Sequence, residues 1–143
     1  MFLDSAIIVT LVVPEEDSAH WVELVDGQIL YSSELALTEC FSALLRKERD
    51  GALSKRGRVR AWRTIERDVS DRRLSLVPVS HEVLLAANLV LAACHPAVAL
   101  RSLDAIHVAS AQRCQSWPLV TNDERMRRAA ERLALPLAPR PKG

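Results

Sequence analysis

The sequence is poor in cysteine and contains no long apolar run. Its three cysteines are odd in number and far apart, which argues against a disulfide framework or a zinc site; they are Cys40, Cys94 and Cys114. Their apolar surroundings predict buried thiols in a reducing compartment. No apolar run reaches the ~18 residues that cross a bilayer, and none follows a basic leader segment. We therefore expect a soluble, cytoplasmic protein with no membrane association.

The chain also has almost no net charge, no internal repeat and no recognisable linker. A formal charge of +1 generates no global field that attracts nucleic acid, so any such affinity must come from a local patch. Its 143 residues, 49% of them hydrophobic, are enough for one domain with a substantial core. We predict a single domain over residues 1–138 and a frayed C-terminal tail over residues 139–143.

Short apolar segments alternate with segments of helical periodicity. Strands are predicted over residues 1–4, 28–31, 75–79, 117–120 and 135–138, and helices over 17–25, 53–72, 81–93 and 103–112, with two more starting at 32 or 33 and at 121. This alternation predicts an α/β fold, a three-layer α/β/α sandwich around a small, mostly parallel sheet. In such folds, ligands bind beyond the carboxyl ends of the strands.

Four acidic residues lie among apolar or small neighbours, close to the predicted junctions of strands and helices: Asp4, Glu39, Asp104 and Asp123. A carboxylate against a core is costly unless a cation meets it there. Asp4 and Asp123 follow predicted strands, and Glu39 and Asp104 lie in predicted helices. We expect all four in one pocket at the carboxyl edge of the sheet. The simplest cation for such a pocket is a divalent metal with oxygen ligands.

Helix capping offers a simpler explanation for two of these acids. Thr121 begins a capping-box pattern, in which Asp123 only favours the helix dipole. Asp104 follows a potential N-cap at Ser102 in the same way. Glu39 is harder to explain locally, because it stands in mid-helix with no basic residue three or four positions away. Taken singly, Asp104 and Asp123 can each be explained by capping or by a metal site. The occurrence of four such acids in one chain favours a site.

Other arrangements for catalysis are weak. The chain has no convincing Ser/His or Cys/His pattern for a protein nucleophile. His107 lies one turn after Asp104 on the same helix face, which permits a role beside the acids. A packed core histidine is the favoured interpretation of His107.

Four segments occur in the order and spacing of a known family: FLDSA at the start, TECFSALLRK, LRSLDAIHVASA, and LVTNDERMRRAAERLAL near the end. With them the chain resembles the PIN-domain ribonucleases, in particular the VapC toxins of bacterial toxin–antitoxin pairs. The resemblance covers essentially the full length, although the middle of the chain matches only in its helical character.

The resemblance implies that the four acids bind Mg²⁺ or Mn²⁺, with Thr121 and Ser5 beside the ligands. The bound metal would activate a water that hydrolyses an RNA phosphodiester bond and leaves 5′-phosphate and 3′-hydroxyl ends. The resemblance also implies a VapB-like antitoxin as partner, whose arginine enters the acidic pocket, and a homodimer. One position departs from the pattern, because members often have a hydroxyl residue where this chain has Ala6.

A basic stretch supplies candidate RNA contacts. Between Arg46 and Arg73 there are eleven Lys or Arg against five Asp or Glu. We expect phosphate contacts from this stretch and from the arginine just before the Asp104 helix; the candidates are Arg46, Arg58, Arg60 and Arg101. A solvated amphipathic helix explains any single one of them equally well.

The leading hypothesis is therefore a metal-dependent endoribonuclease toxin of a type II toxin–antitoxin pair. The alternative is a PIN-like RNA-binding or scaffold protein with impaired catalysis, in favour of which only Ala6 counts. A haloacid-dehalogenase-type phosphatase needs a second Asp two positions after Asp4, which Ala6 excludes. A receiver-like phosphoacceptor needs an acidic pair at the first strand and a late lysine, and the chain has Asp4 alone and Asn122.

Overall fold

Strands and helices alternate along the chain in the computed structural model, which describes residues 1–142. The strands are β1 (Phe2–Leu3), β2 (Leu30–Ser33), β3 (Leu74–Val77) and β4 (Leu119–Val120). The helices are α1 (Ser5–Val12), α2 (Ser18–Val25), α3 (Leu35–Arg49), α4 (Lys55–Ser70), α5 (His81–Cys94), α6 (Ser102–Cys114) and α7 (Glu124–Arg132). The sheet order is β3-β2-β1-β4 and all three pairings are parallel.

Helices cover both faces of this sheet. Neighbouring strand residues point to opposite faces, so Phe2 belongs to one buried cluster and Leu3 to the other. The Phe2 cluster contains the buried side chains of α5, α6 and α7, and the Leu3 cluster contains those of α1 to α4. The predicted three-layer α/β/α sandwich is confirmed, and the sheet is entirely parallel.

The last predicted strand is wrong. Residues 135–138 contribute one isolated bridge, Leu119 to Leu137, instead of a strand. Leu119 N donates to Pro136 O at 2.9 Å, and Ala138 N donates back to Leu119 O at 2.9 Å. Pro136 and Pro139 have no N–H group, so the ladder cannot extend.

Helix starts differ from the predicted caps at several positions. Ser80 caps α5 as predicted, since Val83 N donates to Ser80 Oγ at 3.3 Å. The start predicted at Ser32 or Ser33 is wrong, because both lie in β2 and Glu34 precedes α3. Ser32 Oγ instead donates to Leu3 O at 2.7 Å, which ties β2 to β1.

The remaining predictions about the chain concern its ends, its thiols and membranes. Within residues 1–142, no helix is long and apolar enough to cross a membrane. Cys40 and Cys94 are buried and Cys114 is half-buried, all as free thiols. Of the predicted tail, Arg140 pairs with Glu124, and Gly143 lies outside the described residues. The domain boundary at residue 138 stays a prediction.

Candidate functional site

Asp4 and Thr121 lie side by side at the carboxyl edge of the sheet. β1 and β4 pair with Leu3 opposite Val120. Asp4 directly follows β1, and Thr121 directly follows β4. Asp4 N donates to Val120 O at 3.1 Å, which continues the ladder by one bond. The Thr121 hydroxyl donates to Asp4 Oδ2, and both side chains are buried. At the carboxyl edge of the sheet, these two residues are therefore in direct contact.

Asp4 also caps the helix that follows it. Ile7 N donates to Asp4 Oδ1 at 2.9 Å, which satisfies an amide at the start of α1. Burial raises the pKa of the Asp4 carboxyl above its ordinary value, although the hydrogen bonds from Thr121 and Ile7 act in the opposite direction. The charges of His107 and Asp123 also act on Asp4, which places both groups in its electrostatic neighbourhood.

Asp123 is the N-cap of α7. Met126 N donates to Asp123 Oδ1 at 3.0 Å, and Asp123 N donates to Thr121 Oγ1 at 3.0 Å. The alternative explanation, a capping box with Thr121 as N-cap, is therefore wrong. The Thr121 hydroxyl donates to Asp4 while its oxygen accepts from Asp123 N, and α7 begins after Asp123, two residues later than predicted. Capping does account for one oxygen of Asp123, and its other oxygen faces Arg101.

Arg101 joins Asp104 to Asp123. Arg101 Nε donates to Asp104 Oδ2 at 2.8 Å. Arg101 Nη2 lies 3.4 Å from Asp104 Oδ1 and 3.3 Å from Asp123 Oδ2. The predicted cap at Ser102 is wrong, because Arg101 precedes α6 and forms no side-chain capping bond. The Asp104 carboxylate is therefore held by a guanidinium rather than by a capping interaction.

Glu39 is held by a histidine from another helix. His107 Nε2 on α6 lies 2.5 Å from Glu39 Oε1 on α3, and a carboxylate only accepts, so Nε2 is the donor. His107 is 2% exposed and packs edge-on against Phe2, with ring centroids 6.2 Å apart. The histidine is thus packed, as favoured from the sequence, and also bonded to a site acid. Its i+3 position after Asp104 indicated only a place beside the acids, and the contact with Glu39 comes from the packing of α6 near α3.

An open cleft of about 590 Å³ lies between α1 and α3. Ser5 and Glu39 line it, and Leu103 brings the start of α6 to it. Arg46 lines the same cleft with an exposed side chain. The structure therefore brings Ser5, Glu39 and Arg46, three residues selected from the sequence, to one cleft, which Asp4, Asp104 and Asp123 do not line.

The other basic candidates lie in different surroundings. Arg58 pairs with Glu48, and its guanidinium lies 6.0 Å from the centroid of the Phe41 ring. The guanidinium is therefore engaged with side chains of the protein itself. Arg60 is exposed on α4. Arg101 is at the acids, as described above, with 60% of its side chain exposed.

Within residues 1–142, no group of three or more His, Cys, Asp or Glu side chains converges closely enough to hold a metal ion. Thr121 instead connects Asp4 to Asp123, and Arg101 connects Asp123 to Asp104. Glu39 acts electrostatically on Arg101. Carboxylate oxygens are the donors that Mg²⁺ and Mn²⁺ prefer. Two of these carboxylates already reach one nitrogen atom of Arg101. The residues present thus fit a divalent cation by donor type.

Comparison with known proteins assigns the chain to a family. The family model described as PIN domain matches residues 1–132. The chain belongs to the PIN-domain family. PIN domains are generally nucleases. No curated protein matches the sequence of this PIN domain.

This PIN domain is also similar in fold to a chain in a solved structure. That structure is the crystal structure of VapBC2 from Rickettsia felis bound to a DNA fragment from their promoter. The two chains share 16% sequence identity, with a TM-score of 0.67 and 96% of each chain covered. At this identity, the likeness supports the fold alone. The activity has to be argued from the residues of the candidate site.

Proposed function

We propose that this PIN domain is a metal-dependent endoribonuclease toxin of the VapC type, the toxin of a type II toxin–antitoxin pair. The observation that carries the proposal is the placement of four acids from separate parts of the chain around one edge of the sheet. Asp4 follows β1, Asp123 follows β4, and Glu39 and Asp104 lie on α3 and α6. Direct contacts or electrostatic coupling through Thr121, Arg101 and His107 connect them.

The metal ligands in this proposal are Asp4, Glu39, Asp104 and Asp123, for Mg²⁺ or Mn²⁺. Such an ion, when bound, lowers the pKa of a water and stabilises charge on the phosphoryl oxygens. The protein's own groups orient the carboxylates. Thr121 and the Ile7 amide each hold one oxygen of Asp4, and His107 holds Glu39. Partners of this kind fix ligand orientation and are worth about 10–100-fold in metal affinity or activity.

Purified protein is expected to cleave total RNA with Mn²⁺, and neither the EDTA-treated protein nor Asp104→Asn is expected to do so. Asn has nearly the same shape but lacks the charge, so we expect a loss of at least about 100-fold. Asp26→Asn is the matched control, because Asp26 is exposed and ends α2. Cleavage products resolved on a denaturing gel give the rates. Cleavage that survives both the chelator and Asp104→Asn would refute the metal site.

RNA as the substrate is supported by a stripe of arginines on α4. Arg56, Arg60, Arg63 and Arg67 recur at helical spacing on one exposed side of α4 and line a shallow groove. Within the described part of the chain, none of the four lies within ion-pair distance of a carboxylate. The stripe is about 16 Å long. Unpaired guanidinium groups in a row suit the backbone of a single RNA strand.

Arg63→Gln is expected to weaken RNA binding and to reduce its salt dependence. Loss of one phosphate contact flattens the slope of log K against log salt by about 0.7 for single strands. The exposed Arg125 on α7 provides the control of equal charge, Arg125→Gln. Fluorescence anisotropy in EDTA measures binding without cleavage. Equal slopes in the two variants would remove α4 from the RNA surface.

An antitoxin partner is supported by an apolar groove in the N-terminal half. The groove, about 210 Å³, is lined by side chains of α1 and α2 that include Ile8, Leu11 and Val22, the last 51% exposed. A VapB-like peptide is our proposed occupant. Two exposed leucines on α5, Leu85 and Leu89, support the proposed homodimer. Co-purification of a small partner encoded beside the gene distinguishes a toxin from a free-standing nuclease.

The second candidate function is RNA binding without catalysis. The observation in its favour is that Arg101 neutralises Asp104 and Asp123, as a cation in the acidic site. RNA binding through the arginine stripe, together with no cleavage in Mg²⁺ or Mn²⁺, would establish this function instead.

A further inference from the structure

Arg101 makes an unusual set of contacts for an exposed arginine. It stands immediately before α6, and its guanidinium reaches two carboxylates from different parts of the chain. One nitrogen, Nη2, lies between Asp104 Oδ1 and Asp123 Oδ2 at 3.4 and 3.3 Å. Asp104 is only three residues away, whereas Asp123 is 22 residues away. The tertiary fold is therefore needed for the second contact.

Three carboxylates act electrostatically on Arg101. Asp104, Asp123 and Glu39 each raise the pKa of its guanidinium. Among the described residues, no lysine or other arginine pairs with Asp104 or Asp123. Without Arg101, these two carboxylates would face each other with no positive charge in contact. Its guanidinium is thus the counter-ion of the pair.

We propose that Arg101 is an internal competitor of the divalent cation, which binds Asp104 and Asp123 only by displacing the guanidinium. This inference rests on the proposed function, because it concerns the same acids. Metal–oxygen distances of about 2.0–2.6 Å are shorter than the Arg101 contacts to either carboxylate. A cation at that distance and a guanidinium at 2.8–3.4 Å would compete for the same oxygens. Two neighbouring positive charges would also repel.

The Arg101 side chain can move away from the two carboxylates without disturbing α6. Its side chain is 60% exposed, and it forms no side-chain capping bond that would be lost with α6. Asp104, by contrast, is buried, and Asp123 is held by Met126 N. Displacement therefore moves the arginine and leaves the carboxylates in place. The metal affinity of the site then depends on how strongly Arg101 holds the acids.

Arg101→Gln is expected to bind Mn²⁺ at least about 10-fold more tightly than the wild type, since an adjacent arginine lowers the proton affinity of a carboxylate by about 10–1000-fold and acts on a metal cation with the same sign. Isothermal titration calorimetry with Mn²⁺ measures this directly. The metal-free variant is also expected to melt at a lower temperature than the wild type and to gain more from Mn²⁺. Arg101→Lys keeps the charge without the bridging fork, so its affinity is expected in between. Arg125→Gln is the matched control.

The outcomes separate this inference from the proposed function. Equal or weaker Mn²⁺ binding by Arg101→Gln, while the wild type binds Mn²⁺ and cleaves RNA, overturns the competition and leaves the nuclease assignment intact. Absence of Mn²⁺ binding in the wild type and in both Arg101 variants, together with no RNA cleavage, overturns both. If Arg101→Gln fails to fold, Arg101→Lys decides, because affinity equal to that of the wild type contradicts competition through the bridge.

Discussion

Asp4→Asn is expected to lower RNA cleavage by about 1000-fold and, at the same time, to raise the stability of the metal-free protein. The catalytic loss follows from the proposed role of the carboxylate as a metal ligand. The gain in stability follows from its burial, because Asp4 is 4% exposed and no cationic side chain pairs with it among the described residues. A substitution that removes a buried charge should release the cost of burying it.

Asn can retain the local structure at this position. Its carbonyl oxygen can accept from Ile7 N, since Asn is as good an N-cap as Asp. Its amide can donate to Thr121 Oγ1, whose own hydrogen then turns toward Met126 Sδ at 3.9 Å. The substitution therefore changes charge more than packing. We expect a gain of about 1–3 kcal/mol in the free energy of unfolding at neutral pH, or a rise of about 3 °C or more in Tm.

The pH dependence has a definite sign. Burial raises the pKa of Asp4 in the folded protein above its ordinary value of 3.8. The folded state therefore binds the proton more tightly than the unfolded chain, and stability falls as pH rises from that ordinary value through the raised pKa. The stability of Asp4→Asn does not fall with pH in this way. Its advantage should be absent at acid pH below the ordinary value and fully present above the raised pKa.

Thermal unfolding in EDTA across this pH range measures the effect, with Asp26→Asn as the exposed control. A variant that is less stable than the wild type at every pH would show that the Asp4 charge is compensated in the fold. A variant with unchanged RNA cleavage would remove Asp4 from the site.

Trp21→Ala is expected to cost about 3–5 kcal/mol in the free energy of unfolding, a large part of the 5–15 kcal/mol typical of a domain. Trp21 is fully buried on α2 and belongs to the cluster beneath β1 that also contains Leu3 and Leu44. Its removal leaves a large cavity in this cluster. Because α1 follows Asp4 directly and packs against α2, we also expect this variant to lose activity through unfolding.

Trp21→Phe is the matched control for the cavity. Within residues 1–142, the indole Nε1 of Trp21 is buried and has no hydrogen-bond partner. Phe removes this unsatisfied group, which offsets part of the lost volume, so it should cost much less than Ala. Urea unfolding followed by circular dichroism gives both values. Similar losses for Phe and Ala would mean that the indole N–H is satisfied and contributes to stability.

The sandwich and the common edge of the site were predictable from the sequence. The spacing of apolar residues distinguishes strands from amphipathic helices, and the two alternate along the chain. Parallel strands have their carboxyl ends at one edge of the sheet. That rule predicted Asp4 and Asp123 at the same edge of the sheet, and the parallel register of Leu3 with Val120 agrees with it. The strand predicted at residues 135–138 was wrong, because an apolar run interrupted by prolines resembles a strand in composition but forms only one bridge, at Leu137.

The sequence by itself determined the element types, the parallel sheet and the identity of the acids near its carboxyl edge, because these depend on local periodicity and strand order. Only the tertiary structure decided the partners of those acids. The Thr121 hydroxyl donates to Asp4, 117 residues away, and its oxygen accepts from Asp123 N, whereas Asp123 itself caps α7. Arg101 is at the acids because the fold brings Asp123 within reach of the same guanidinium that Asp104 binds. Contacts between distant residues depend on chain packing, which no local pattern encodes.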